Sequence, residues 1–160
     1  MKKNVRYMTQ AAMIAAIYVV LTFIANALGL ANGVIQVRFS ESLCILPYFT
    51  GAAIPGLFLG CLISNILTGC ALPDIIFGSI ATLIGAVITF KLRKYKWLSP
   101  VGPIAANAII VPFILLYAYG IVPLWLSFIT VSIGEIISCG ILGMILLFAL
   151  ERYRNIIFKQ

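Results

Sequence analysis

The 160-residue chain is 63% hydrophobic and 9% charged, with eleven Lys and Arg against four Asp and Glu, no histidine, and a net charge of +7. A mean hydropathy of +1.16 leaves too little polar surface to solvate a globule of this size. Lipid is the solvent this composition implies. Within hydrocarbon every backbone N–H and C=O must be satisfied locally, and the chain shows long apolar runs rather than alternating segments of about ten residues, which excludes a barrel and predicts helices. The expected architecture is all-α: one integral membrane domain over residues 1–160.

A basic cluster, Lys2, Lys3 and Arg6, precedes the first apolar run, Met8 to about Leu28, which is long enough to cross a bilayer core of roughly 30 Å. A cleavable signal peptide competes for this segment, because Ala25-Asn26-Ala27 imitates an A-x-A cleavage site. Since everything downstream is also apolar, nothing soluble needs export, and a retained span is the expectation. From Val34 to Ala71 the chain is broken by Pro47 and by the run Gly51 to Gly56, which reads as a turn between two shortish helices. A further span is expected from about Asp74 to Phe90, followed by a second basic cluster, Lys91, Arg93, Lys94 and Lys96. Pro100 and Pro103 open a span ending near Tyr119; Gly120 and Pro123 mark a turn. The last helix runs from about Leu124 to Leu150, and a third cluster, Arg152, Arg154 and Lys159, follows it.

Basic residues near span ends stay cytoplasmic, so the three clusters share one side. That requires an even number of crossings between Arg6 and Lys91, and again between Lys96 and Arg152. Two helices between Val34 and Ala71 satisfy it, giving six spans with both termini cytoplasmic; a re-entrant hairpin there keeps the same parity. The net charge is thereby explained by membrane orientation, and no nucleic acid partner is needed.

Arg38 is the one basic residue outside the clusters, and Glu41, three residues on, is spaced to pair with it on a helical turn, either to tie the loop down or to gate a substrate. Glu135 lies about twelve residues into the last helix, near mid-membrane, at a depth comparable to Asn107, so the two are candidates to converge. Asp74, just after Pro73, suits an N-cap at the outer mouth of its span and is also placed to touch ligand. Tyr117, Tyr119, Trp125 and Phe128, with Phe39 and Phe77, gather at the same outer ends. They read either as an interfacial belt or as stacking faces for a flat heteroaromatic ligand, with Trp125, Phe128 and Phe77 the candidates.

No phosphate-binding loop, nucleophile elbow or C-x-x-C pair is present, and Cys44, Cys61, Cys70 and Cys139 are scattered through apolar segments as packing residues. No catalytic constellation, metal site or means of hydrolysing a nucleotide is expected. Small residues mark close helix approaches: Gly56 with Gly60, Gly78 with Ala81 and Gly85, and Gly134 with Ser138. The pairs Ala11/Ala15 and Ala12/Ala16 form a smooth strip that either packs internally or is gripped by another membrane subunit.

The segments IQVRFSESL (35–43), GAAIPGLFLGC (51–61) with Asn65, DIIFGSIATL (74–83), NAIIVP (107–112) and Gly134-Glu135 resemble the queuosine-precursor transporter (QueT) family over most of the chain. Members of that family are substrate-binding S components of energy-coupling factor (ECF) transporters. The resemblance implies six helices in the bacterial cytoplasmic membrane, with both ends inside and an outward pocket capped by the loop spanning roughly Gly29 to Ser40. It implies that Ala11, Ala12, Ala15 and Ala16 dock on a transmembrane coupling protein. Two cytosolic ATPases would supply the energy, so that no cofactor is expected in this chain, and the whole subunit would topple to deliver ligand. The implied ligand is a 7-deazaguanine such as queuine or its aminomethyl precursor. Glu135 would then accept the ring N–H and exocyclic amino group, Asn107 would read a ring acceptor, and Asp74 or Glu41 would receive a cationic aminomethyl arm. An S component for another vitamin, a proton-coupled secondary transporter using Glu135 and Asp74 as a relay, and a structural membrane subunit are the alternatives.

Overall fold

The computed structural model describes residues 2–30 and 36–157. Residues 31–35 of the expected capping loop, with Met1 and the C-terminal residues that include Lys159, lie outside the described residues. Six helices account for the bundle: α1 (Lys2–Ala27), α2 (Phe39–Tyr48), α3 (Ala53–Leu67), α4 (Asp74–Lys91), α5 (Val101–Tyr119) and α6 (Leu124–Glu151). Those containing α1, α4, α5 and α6 are long and apolar enough to cross a membrane.

The two shorter helices are wound differently. α2 is wound as a 3-10 helix of ten residues. At about 2.0 Å per residue it reaches roughly 20 Å, where an α-helix of the same length would reach only about 15 Å. α3 has fifteen residues of ordinary α-helix, or roughly 22 Å. The predicted turn between them is tighter than the sequence suggested, because Pro55 and Gly56 lie inside the first turn of α3, where proline is tolerated.

Polar contacts fix which ends lie together. Tyr7 donates to the carbonyl of Gly51 (3.0 Å), Thr50 bonds Gln10 (3.2 Å), and Gln10 donates to the carbonyl of Ile157 (3.4 Å). Lys96 pairs with Glu151 at the same end. The N-terminus, the α2–α3 turn, the α4–α5 connection and the end of α6 therefore share one end of the bundle. At the opposite end, the helices that run toward it close on Gly29, Gly69 and Gly120, each with positive φ, the left-handed conformation that stops a helix without a Cβ penalty. The chain thus passes from the glycine-closed end at Gly29 to the other end by Gly51 and returns along α3, so the even crossing count derived from the basic clusters holds, although α2 itself begins part-way down the bundle, where the Arg38 N–H meets Ser138 of α6.

α2 occupies the centre, packed by α1, α3, α4 and α6, with Cys44, Ile45 and Leu46 buried in the core. α1 meets α3 across Gly56 and Gly60. A Cβ on Gly60 would lie 2.7 Å from the Cβ of Tyr18, and one on Gly56 would lie 2.7 Å from the carbonyl of Ala11. Gly60→Ala is accordingly expected to lower stability by about 1–3 kcal/mol, the usual cost of overpacking. Thermal unfolding in detergent measures it, and an unchanged midpoint would show that the α1–α3 contact yields freely.

This packing also decides the alanine strip. Ala11 and Ala15 are buried against α3, whereas Ala12 and Ala16 face outward beside the exposed Met8 and Met13. Ala11 and Ala15 are therefore not available to a partner, because the α3 glycines already hold them.

Candidate functional site

Near the glycine-closed end, a cavity of about 370 Å3 opens between α1, α3, α4, α5 and the segment leading into α2. Asp74, Asn65, Arg38, Gln36, Tyr119 and Asn26 are among its lining residues. Its volume falls in the range of small-molecule sites, about 300–1,000 Å3. Asp74 opens α4 within a stretch of π-helix, Asp74–Gly78. Gly78, one turn on, approaches it so closely that a Cβ would lie 3.0 Å from the Asp74 carboxylate. Tyr119, from the end of α5, donates to Asp74 (3.3 Å) and accepts from the backbone N–H of Ala71 (3.0 Å). Asn65 donates to the Asp74 carbonyl (3.3 Å). The Asp74 side chain caps no helix. The N-cap expectation is corrected: Pro73 holds the cap position of α4, and the Asp74 carboxylate turns toward the phenol instead.

Deeper in the bundle a second group of acids meets. Asn107 donates to Glu135 (3.0 Å) and to Glu41 (3.4 Å), so the expected convergence of Asn107 and Glu135 is present, joined by Glu41 from the central helix. Glu41 is almost fully buried; it also accepts from Tyr18 and from Cys44 (3.1 Å). Glu135 immediately precedes a second π-helical stretch, Ile136–Leu142. Its Oε2 is buried without a hydrogen-bond partner. Arg38, Glu41, Asn107 and Glu135 surround a void of about 20 Å3, room for a single water-sized group. A two-ring heterocycle does not enter a space of that size, so the expected reading of a ring edge by Glu135 and Asn107 is not accommodated in this conformation. Arg38, Gln36 and Val111 line both the void and the large cavity, which therefore adjoin.

Arg38 forms no ion pair among the described residues. The predicted Arg38–Glu41 pair is absent because Arg38 is extended, before the first turn of α2, while Glu41 turns inward to Tyr18 and Asn107. Arg38 instead lines the large cavity together with Asp74 and the void together with Glu41 and Glu135. Its segment is held by small residues of α6. A Cβ on Gly134 would lie 2.3 Å from the Gln36 carbonyl, and Ser138 accepts the Arg38 backbone N–H (3.2 Å).

The stacking candidates do not reach the cavity. Trp125 is 63% exposed and lies about 200° around the helix from the buried Ser127, on the outer surface of α6. Phe77 is half exposed, because Asp74 and Gly78 take the inner face of its turn. Phe128 packs edge-to-face on Phe113, with ring centroids 5.7 Å apart. The aromatic ring that lines the cavity is that of Tyr119. Tyr18, Gln36, Asn65 and Tyr119 were not among the expected site residues. For Tyr18 the signal was a phenol in the middle of an apolar span, which needs a partner when buried.

A further cavity of about 230 Å3, lined by Gln36, Ser127, Thr130 and apolar residues, borders the first. Glu41, Cys44 and Cys139 bring a carboxylate and two thiols within 4.8 Å of one another, a donor set suited to soft metals. Both thiols are already engaged, Cys44 with the Glu41 carboxylate and Cys139 with the Glu41 carbonyl (2.9 Å), and neither lines the cavities described above.

Apolar helices long enough to span a membrane, and a polar cavity enclosed among them, describe a multi-pass membrane protein with an internal site. No curated protein and no solved structure matches the chain closely enough to count as a relative. A family model described as QueT transporter matches residues 8–152, nearly the whole chain and every residue of the site. The chain belongs to the QueT transporter family.

Proposed function

We propose that this chain is the substrate-binding S component of an ECF-type importer, and that it takes up a queuosine precursor of the 7-deazaguanine class. The observation that carries this reading is that Arg38 and Asp74 both stand on the walls of one 370 Å3 cavity. A guanine-like edge presents a carbonyl acceptor beside a ring N–H and an amino group. Arg38 would donate to the carbonyl, and Asp74 would accept from the two N–H groups, a charge-assisted match on both sides. Asn65 steadies the Asp74 backbone and the Tyr119 hydroxyl orients its carboxylate, while the Tyr119 ring borders the ligand. The contact to the ring thus moves from Glu135 and Asn107 to Arg38 and Asp74.

In this reading the cavity end faces outward and the basic clusters face the cytoplasm, in accord with the positive-inside rule. Ala12 and Ala16, which stand exposed on α1, would dock on the transmembrane coupling protein, and two cytosolic ATPases would supply the energy. Calorimetric titration of the detergent-purified chain with queuine, guanine and several unrelated vitamins tests it. Queuine is expected to bind tightly and guanine much more weakly, since guanine lacks the 7-substituent that the adjoining spaces would hold. Tight binding of an unrelated vitamin, with no response to queuine, would return the chain to a different substrate.

A further inference from the structure

The ring contacts proposed above leave the deep void unused. It is bounded by Glu41 and Glu135 with Asn107 bridging them, and its 20 Å3 exceed the roughly 10–15 Å3 that one water-sized group requires. Glu41 is already engaged by Tyr18, Cys44 and Asn107. Glu135 is only 8% exposed, yet its Oε2 meets no donor. An unpaired carboxylate oxygen in a membrane interior is costly until a donor reaches it. Charge points the same way. The cavity and the void together are lined by three carboxylates, Asp74, Glu41 and Glu135, and by the single guanidinium of Arg38. A cation arriving from the cavity would offset that excess, and a group of water size tethered to the ligand would fit the space.

We infer that the void between Glu41 and Glu135 is a subsite for a primary ammonium group carried by the ligand, so that the protein selects an aminomethyl deazaguanine over neutral ones with the same ring. This rests on the transport reading above and extends it: Arg38 and Asp74 take the ring, and Glu135 takes the arm. Asn107 acts as a positioning residue, because its one amide group holds both carboxylates at the width of the void.

The test compares the aminomethyl and cyano deazaguanines, which share a ring but differ in the charge of the arm, by calorimetry on the detergent-purified full chain and on Glu135→Gln. In the unaltered protein the aminomethyl compound is expected to bind roughly 10- to 100-fold more tightly, the scale of one charge-assisted hydrogen bond to a buried carboxylate. In Glu135→Gln that ratio should shrink toward parity, and Glu41→Gln should shrink it likewise if the first variant does not fold. Equal affinities in the unaltered protein, or tighter binding of the cyano compound, overturn the subsite and leave the transport reading standing. A ratio untouched by Glu135→Gln also overturns it. Binding of neither compound overturns the transport reading and the subsite together.

Discussion

Replacing Arg38 by alanine should weaken deazaguanine binding by roughly 10- to 150-fold, because a hydrogen bond to a charged group is worth about 1.5–3 kcal/mol and each 1.4 kcal/mol is a factor of ten. The expectation follows from position. Among the described residues Arg38 is the one cation lining the cavity and the void, which it shares with Asp74 and with Glu41 and Glu135 respectively. Without it the ring carbonyl of the ligand would lose its charged donor and face the neighbouring carboxylates, which opposes binding as well as failing to assist it. Arg38→Lys should fall between, since lysine restores the charge but lacks the planar fork that can serve an acceptor and a carboxylate at once. Titration of both variants with queuine, alongside circular dichroism to confirm retained helix, decides the matter. Unchanged affinity in Arg38→Ala would remove Arg38 from the ligand and with it the proposed reading of the ring edge.

The course of the chain was legible because charge and punctuation constrain a membrane protein strongly. Three basic clusters imposed an even crossing count, and Pro47 with the glycines after it located the α2–α3 turn. Depth along a helix brought Asn107 to Glu135, since rise per residue places two polar groups in the same layer whatever the rotation of their helices. Rotation was the part that failed. Ala11/Ala15 and Ala12/Ala16 are equivalent pairs by spacing, and only the positions of Gly56 and Gly60 on another helix decide which pair is enclosed. Trp125 and Phe77 carry no mark in sequence that distinguishes the outer surface from the cavity. The 3-10 winding of α2 and the π stretches beside Asp74 and Glu135 were equally hidden, because no residue in them marks which helical winding the backbone takes. The Arg38–Glu41 pairing failed for a related reason: i, i+3 spacing joins side chains only where both residues are in the helix, and Arg38 is not.

Gly134→Ala is expected to damage stability and binding together, and the coupling of the two effects is the informative part. A Cβ at residue 134 would stand 2.3 Å from the Gln36 carbonyl, inside van der Waals contact with a backbone atom that no rotamer change can move. Either α6 or the segment 36–38 must shift, at about 1–3 kcal/mol for overpacking. That segment is no ordinary loop: Gln36 lines all three cavities, and Arg38 hangs two residues further on, tied to Ser138 of the same helix. Displacing it moves the guanidinium away from Asp74, so queuine affinity should fall along with the unfolding midpoint. Gly140, also on α6, supplies the contrast. Its added Cβ would meet nothing nearer than 3.7 Å, and exchanging glycine for alanine within a helix removes unfolded-state entropy, so Gly140→Ala should be neutral or stabilising by up to about 1 kcal/mol with affinity unchanged. If Gly134→Ala lowers stability while binding queuine as tightly as the unaltered chain, the contact serves the bundle alone, and the segment that carries Arg38 is positioned by something other than the bare backbone of α6.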